Sequence, residues 1–100
     1  MSTIYHLTTR QEWQDAVSKG KYEAASLADE GFIHASEERQ VAGVQERYFA
    51  GKKDLLKLVL DTEKLTSPLY YDWSASVEDT FPHIYGPINL DAVVAVEEII

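Results

Sequence analysis

The chain contains no cysteine in 100 residues. That single absence excludes disulfide stapling, thiolate zinc ligation and a cysteine nucleophile together, so packing must supply the stability. Any metal site would have to be built from histidine and carboxylate. Basic residues are also scarce: nine stand against seventeen acidic ones, giving a net charge of -8. A polyanion is on average repelled by such a surface, which disfavours a nucleic-acid partner. The basic residues that would form a local patch, Lys52, Lys53, Arg39 and Arg47, are mixed with Glu37, Glu38 and Glu46 and read as a solvated helix face. No apolar run approaches the roughly 20 residues of a membrane span. The start, Met1-Ser2-Thr3-Ile4, lacks the basic patch and apolar stretch of a secretion signal. The expected location is the cytoplasm. Finally, no glycine-rich phosphate loop, nucleophile elbow or zinc-protease helix is present, which removes the commonest nucleotide- and ester-hydrolysing readings. One hundred residues build one domain and leave nothing for a second core.

What is present reads as short elements of both kinds. Thr3 to Thr8 is a strand, followed at once by a helix over about Arg10 to Lys19. Thr9 and Glu12 are spaced as a capping box, Trp13, Ala16 and Val17 form an apolar stripe, and Gly20 provides the left-handed stop. Lys21 to Ala25 is ambiguous between extended chain and loop, and Ser26 with Asp29 can cap one short turn before Gly31. Gly31 to Ala35 is a second strand. Ser36 is placed to cap a second helix carrying Glu37 and Glu38 in its first turn. Val41, Val44 and Tyr48, with Ala42 and Phe49, follow at helical spacing and read as core up to Gly51. Asp54 to Asp61 holds the apolar run of a central strand, Thr62 to Ser67 connects, and Pro68 to Trp73 is a further strand or edge. The polar, acidic Ser74 to Thr80 lacks any period and is expected to be a mobile loop. Pro82 and Pro87 confine Phe81 to Asn89 to an edge or an irregular strand. Ala92 to Ile100 closes the chain as a strand with Val94, Val96 and Glu98 on one face. The order β-α-β-α-β-β-β-β, with both helices in the first half, favours an α+β fold.

All three histidines lie in apolar, aromatic-flanked strand segments: Ile4-Tyr5-His6-Leu7, Phe32-Ile33-His34-Ala35 and Phe81-Pro82-His83-Ile84-Tyr85. Imidazole is the one side chain that is donor, acceptor or cation near neutral pH. Strand alternation puts His6 with Ile4 and Thr8, His34 with Phe32 and Ser36, and His83 with Phe81 and Tyr85. Stacking rings beside a few convergent polar groups are the chemistry of a ligand pocket. Three imidazoles can also hold zinc with an open fourth position, although no two of these lie at i, i+2 or i, i+4 on one element. A metal-free acid–base site needs a carboxylate or arginine nearby, and Arg10, Arg39, Asp72 and Asp79 are the nearest in sequence. Arg10 and Arg39 directly follow histidine-bearing strands.

Together the blocks Ile4-Tyr5-His6-Leu7-Thr8 with Trp13, Ser26-Leu27, Gly31-Phe32-Ile33-His34-Ala35-Ser36, Gln40-Val41 and Phe81-Pro82-His83-Ile84-Tyr85-Gly86-Pro87 with Ala92-Val93 resemble the bacterial family known as domain of unknown function 952. The resemblance covers nearly the whole chain in order. It implies a fold similar to the catalytic core of ADP-ribosyltransferases, a split, strongly bent, mostly antiparallel α+β sheet with a cleft for a nicotinamide dinucleotide. By motif position it implies that His6 holds the ribose, that His34 flanks the nicotinamide, and that His83 stands where the transferring enzymes tend to carry an acid. The site expected from residues and resemblance together has His83 as catalytic candidate and His6, His34, Thr8, Ser36, Arg10, Arg39 and Tyr85 as ligand-binding candidates. NAD or a phosphorylated ribose is the implied small molecule. A non-catalytic binding domain and a three-histidine metal site stand as alternatives.

Overall fold

The structure, a computed structural model, describes residues 2–99. Strand β1 (Thr3–Thr9) leads into helix α1 (Arg10–Lys19), whose start is the capping box read from the sequence: the Glu12 N–H donates to Thr9 Oγ1 and the Glu12 carboxylate accepts from the Thr9 N–H, each at 3.2 Å. Gly20, at φ +92°, ends the helix. A two-residue strand β2 (Lys21–Tyr22), a six-residue helix α2 (Ala25–Glu30) and strand β3 (Ile33–His34) follow. Next come a 3-10 turn at Glu38–Gln40, helix α3 (Val41–Phe49) and the central strand β4 (Leu55–Asp61). Strands β5 (Leu69–Ser74), β6 (Asp79–Ile84), β7 (Ile88–Asn89) and β8 (Val93–Glu98) complete the chain.

The strands form three small antiparallel sheets: β1-β4-β8, β2-β7 and β3-β6-β5. The first and third are joined by a bridge in which the Tyr5 N–H donates to the Ser36 carbonyl at 2.8 Å and the Ser36 N–H to the Tyr5 carbonyl at 2.7 Å. On the inner face of β1-β4-β8, Ile4 opposes Leu60 and His6 opposes Leu58. Those apolar side chains pack with Ala16, Tyr22, Ile33, Ala35, Ile84 and Ile88 into one buried cluster, covered by Trp13 and Leu27. At about 25 cal/mol per Å² of apolar surface, this burial is the main force holding three short sheets together.

Several expectations are corrected. The described residues contain three α-helices where two were expected. Ser26 is not the cap; the N-cap of α2 is Ala24, without a side-chain cap, and its C-cap is Gly31 in the left-handed conformation. Ser36 does not cap the following turn, because the turn starts one residue later: Glu37 is its N-cap and forms the capping box with Gln40, while Ser36 pairs with Tyr5. The strand expected over Gly31 to Ala35 narrows to its two ladder-paired residues. Ser74 to Thr80 is the tip of the β5-β6 hairpin, with Glu78 at φ +53°. What orders it is distant in sequence: Arg39 forks onto the Asp79 carboxylate at 2.7 and 3.1 Å, and Gln40 reaches both Asp79 and the Thr80 carbonyl at 2.8 Å.

Pro82 lies in β6, the middle strand of its sheet. Its carbonyl accepts from the Ala35 N–H at 3.0 Å, so the nitrogen that cannot donate also faces β3, at the point where that ladder ends. No residue of α3 is buried, so its apolar stripe is not core, and Val17 of α1 is exposed. On β8 neither alternating set is buried, and a bulge at Val94 breaks the register against β4. The final residue of the strand expected there, Ile100, lies outside the described residues.

At Gly86, φ +155°, an added Cβ would stand 2.4 Å from Ser67 Oγ, which donates to the Pro87 carbonyl, and 2.9 Å from Ser67 Cβ. Gly86→Ala is expected to lower the stability by roughly 2–3 kcal/mol, read as a lower urea midpoint, with partial recovery when Ser67→Gly is added.

Candidate functional site

His6, His34 and His83, on three different strands, line one cavity of about 590 Å³. The seam between the two larger sheets makes this convergence. His6 Nδ1 donates to the His34 carbonyl at 2.5 Å, so a side chain of β1 is tied to the backbone of β3. On the neighbouring strand His83 pairs directly with His34, and their rings lie edge to face at 5.1 Å. Alternation completes the arrangement, because Ile33 and Ile84 point into the core while His34 and His83 point the other way.

The environments of the three rings differ. Burial pushes the His6 imidazole down to about 4, although the hydrogen bond to the His34 carbonyl opposes that shift. A carbonyl can only accept, so Nδ1 carries the proton of the neutral ring and Nε2 faces the Tyr22 hydroxyl at 2.8 Å. His34 is half-exposed, with Nε2 2.8 Å from the Glu30 carboxylate one turn back on α2.

His83 is nearly buried, and its Nδ1 donates to Asp72 at 2.8 Å. Tyr85 donates to the same carboxylate oxygen at 2.5 Å. First this phenol and then His83 hold the Asp72 carboxyl below its usual range, so it stays ionised. The His83 Nε2 has no bond to the chain among the described residues. No buried side-chain nitrogen or oxygen among the described residues lacks a partner, so this atom is not sealed off, and His83 lines the cavity. An imidazole oriented by a carboxylate, with its second nitrogen free, is the geometry of a general base. Phe32 stacks on the His83 ring at 4.1 Å and 17° and packs against Tyr85 at 5.3 Å, and Tyr85 meets Tyr70 at 5.6 Å, forming an aromatic shelf.

Of the other expected site residues, Ser36 lines the cavity. Thr8 lies behind its wall, buried and bonded to Tyr22 at 2.9 Å. Tyr85 is exposed and is not part of the cavity lining. Arg10 and Arg39 are not brought to the cavity. Arg10 reaches across its sheet to Glu98 at 2.8 Å, and Arg39 is committed to Asp79 beside a separate groove with Thr3, Tyr5, Glu37 and Glu38. Each follows a histidine strand, but the first helical turn carries the side chain away from the seam.

Sequence reasoning missed Tyr22, Glu12, Glu30 and Lys52 in the lining, together with Val44, Tyr48 and Phe49 of α3. Tyr22 stood alone in a segment without period. The α3 stripe had a clear period, yet the same signal describes a cavity wall and a core. Among the described residues no cluster of three histidine or acidic side chains is arranged to hold a metal ion. The three-histidine alternative fails on His6, whose two ring nitrogens are both engaged by the chain itself.

A family model described as "Protein of unknown function (DUF952)" matches residues 7–96. The chain belongs to this family. The DUF952 match includes the full His34 and His83 blocks and begins one residue after His6. Among curated proteins none matches. The crystal structure of protein CC0527 from Caulobacter crescentus is similar to this chain, with a TM-score of 0.88 and 30% identity over 97% of this chain and 85% of that one. The solution structure of CC0527 gives a TM-score of 0.83 and 30% identity over 99% and 85% of the two chains. The DUF952 fold described above is thus shared, as a small α+β domain with antiparallel sheets. Among the described residues no helix is long and apolar enough to cross a membrane.

His6 carries a pH signature. In the unfolded chain it titrates near 6.5 and in the folded protein at about 4, so between these values the unfolded state binds more protons. Stability therefore falls as the pH is lowered through this window, by about 3 kcal/mol in total, and is flat with respect to this group above it. Urea unfolding between pH 7 and pH 4.5 is expected to show the decline in the wild type and a shallower slope in His6→Gln.

Proposed function

We propose that this protein binds a phosphorylated ribose or a dinucleotide such as NAD in the histidine-lined cavity, in the manner of an ADP-ribosyltransferase-like domain. The observation that carries the reading is that three histidines, far apart in sequence, line one cavity of ligand size. Its volume of about 590 Å³ falls in the range of roughly 300–1,000 Å³ typical of small-molecule sites. The apolar stripe of α3 supports it as well. Val44, Tyr48 and Phe49 are left unburied by the chain and are available to a bound ring, beside polar groups at Ser26, Ser36 and Lys52.

In this reading His83 acts as the acid–base residue. The resemblance places His83 where a carboxylate is usual, and Asp72, one strand away, supplies a carboxylate to the same local group. With Asp72 fixing the tautomer, Nε2 is free to take a proton from a ligand hydroxyl or an attacking acceptor. Ser36 and His34 are the positioning groups.

One observation favours a second reading, binding without reaction. The ribose-holding role implied for His6 needs a free ring nitrogen, and both are taken by the His34 carbonyl and Tyr22. A ligand hydroxyl would have to replace Tyr22.

Two measurements test and separate these readings. Titration with NAD and with ribose 5-phosphate, followed by the ring signals of the three histidines, is expected to shift His34 and His83; unmoved rings at millimolar ligand would exclude both ligands. If the purified protein cleaves NAD, Asp72→Asn is expected to slow it by about 10²-fold or more while leaving the affinity nearly unchanged. Binding that is retained with no cleavage in any variant would establish the second reading.

A further inference from the structure

Along the cavity wall, four side chains, His6, Tyr22 and Glu12 in the lining and Thr8 behind it, form one hydrogen-bonded row that the proposed reaction does not use. His6 Nε2 lies 2.8 Å from the Tyr22 hydroxyl, which lies 2.9 Å from Thr8 Oγ1, which lies 3.1 Å from Glu12 Oε1. The row crosses from β1 to β2, back to β1 and out to α1. His6, Tyr22 and Thr8 are buried, whereas Glu12 is exposed to solvent. It therefore runs without a gap from a buried imidazole to the surface.

Counting hydrogens shows what is unusual about it. The Nδ1 hydrogen of His6 is committed to the His34 carbonyl. With His6 neutral and Glu12 ionised, only the phenol and the threonine hydroxyl have hydrogens to offer, so two hydrogens serve three links. One link must then face lone pair to lone pair. A single added proton fills all three, and it can do so in two ways. In one, His6 is an imidazolium and every hydrogen points toward the Glu12 carboxylate. In the other, Glu12 is a carboxylic acid and every hydrogen points toward a neutral His6. The two differ by one short hop in each link: each oxygen gives up one hydrogen and receives another, the proton lost at one end appears at the other, and no net charge is created.

We propose that Glu12, Thr8 and Tyr22 are a proton conduit that exchanges the buried His6 proton with solvent. The proposal is independent of which ligand the cavity takes. Around His6 the titratable groups are Glu12 from α1, Tyr22 from β2 and His34 from β3, with Glu30, Tyr48, Lys52 and His83 elsewhere in the cavity lining. Of these only Tyr22 bonds to Nε2. Burial pushes the Tyr22 phenol strongly up and the Thr8 bond opposes this only in part, so the hydroxyl stays protonated and passes hydrogens on as a neutral link.

The test uses the whole chain without ligand. Nitrogen-15 spectra of the His6 ring and carbon-13 spectra of the Glu12 carboxyl are followed from pH 7 to pH 3. In the wild type the Glu12 carbon is expected to respond in the same step in which Nε2 gains its proton, with fast exchange at the ring. Glu12→Gln keeps the capping box, since glutamine serves there equally, and removes the proton-accepting end. The lost Glu12 charge lowers the His6 midpoint by itself; the mark of the conduit is that exchange at Nε2 slows severalfold. Thr8→Val breaks the row at equal volume and should do the same, whereas Thr8→Ser restores the wild-type behaviour. Exchange rates unchanged in both Glu12→Gln and Thr8→Val would overturn the conduit. A purely structural role for the row predicts that outcome, with an effect on stability alone.

Discussion

The architecture depends on the seam between β1 and β3. Two backbone hydrogen bonds join Tyr5 to Ser36, and one residue further on the His6 ring is bonded to the His34 carbonyl. Without this contact the β1-β4-β8 sheet and the β3-β6-β5 sheet would share only apolar packing, which is strong but carries no direction. Hydrogen bonds supply that direction, and the cavity lies beside the seam, lined from both sheets by His6, His34 and His83. Because the seam includes a histidine side chain, the element that closes the structure also forms part of the wall of the cavity.

Three rings of the same chemical type are thereby given three different tasks. His6 is buried and held at both nitrogens. His34 is half-exposed and balanced by Glu30. His83 is nearly buried, oriented by Asp72 and free at Nε2. What separates them is not the residue but the partner on the neighbouring strand or helix. The same period-two alternation that sends Ile33 and Ile84 into the core sends His34 and His83 to the cavity, so core formation and site formation are one event.

Much of this was legible in the sequence because it rests on local rules. The capping box of Thr9 and Glu12, the left-handed glycine after α1, the β4 run, and the pairing on one strand face of Phe32 with His34 and of His83 with Tyr85 all follow from spacing. Other features were hidden because their causes are remote. The hairpin tip at Asp79 has no period of its own and is held by Arg39 and Gln40, some forty residues away in sequence. Pro82 reads as an edge residue, yet it sits in a middle strand because β3 is too short to need its missing N–H. Arg10 and Arg39 follow the histidine strands in sequence, and the direction of the next turn carries them away.

Sequence by itself determined the class of fold, the strands that carry the histidines and the face on which each histidine lies, since pleat and helical period act over a few residues. Only the tertiary structure decided that the three rings share one cavity, that the α3 stripe faces that cavity instead of the core, and that Tyr22 and Asp72 are the partners of His6 and His83. Those outcomes depend on which strands meet and at what angle, and these are set by long-range packing and hydrogen bonding that no local pattern records.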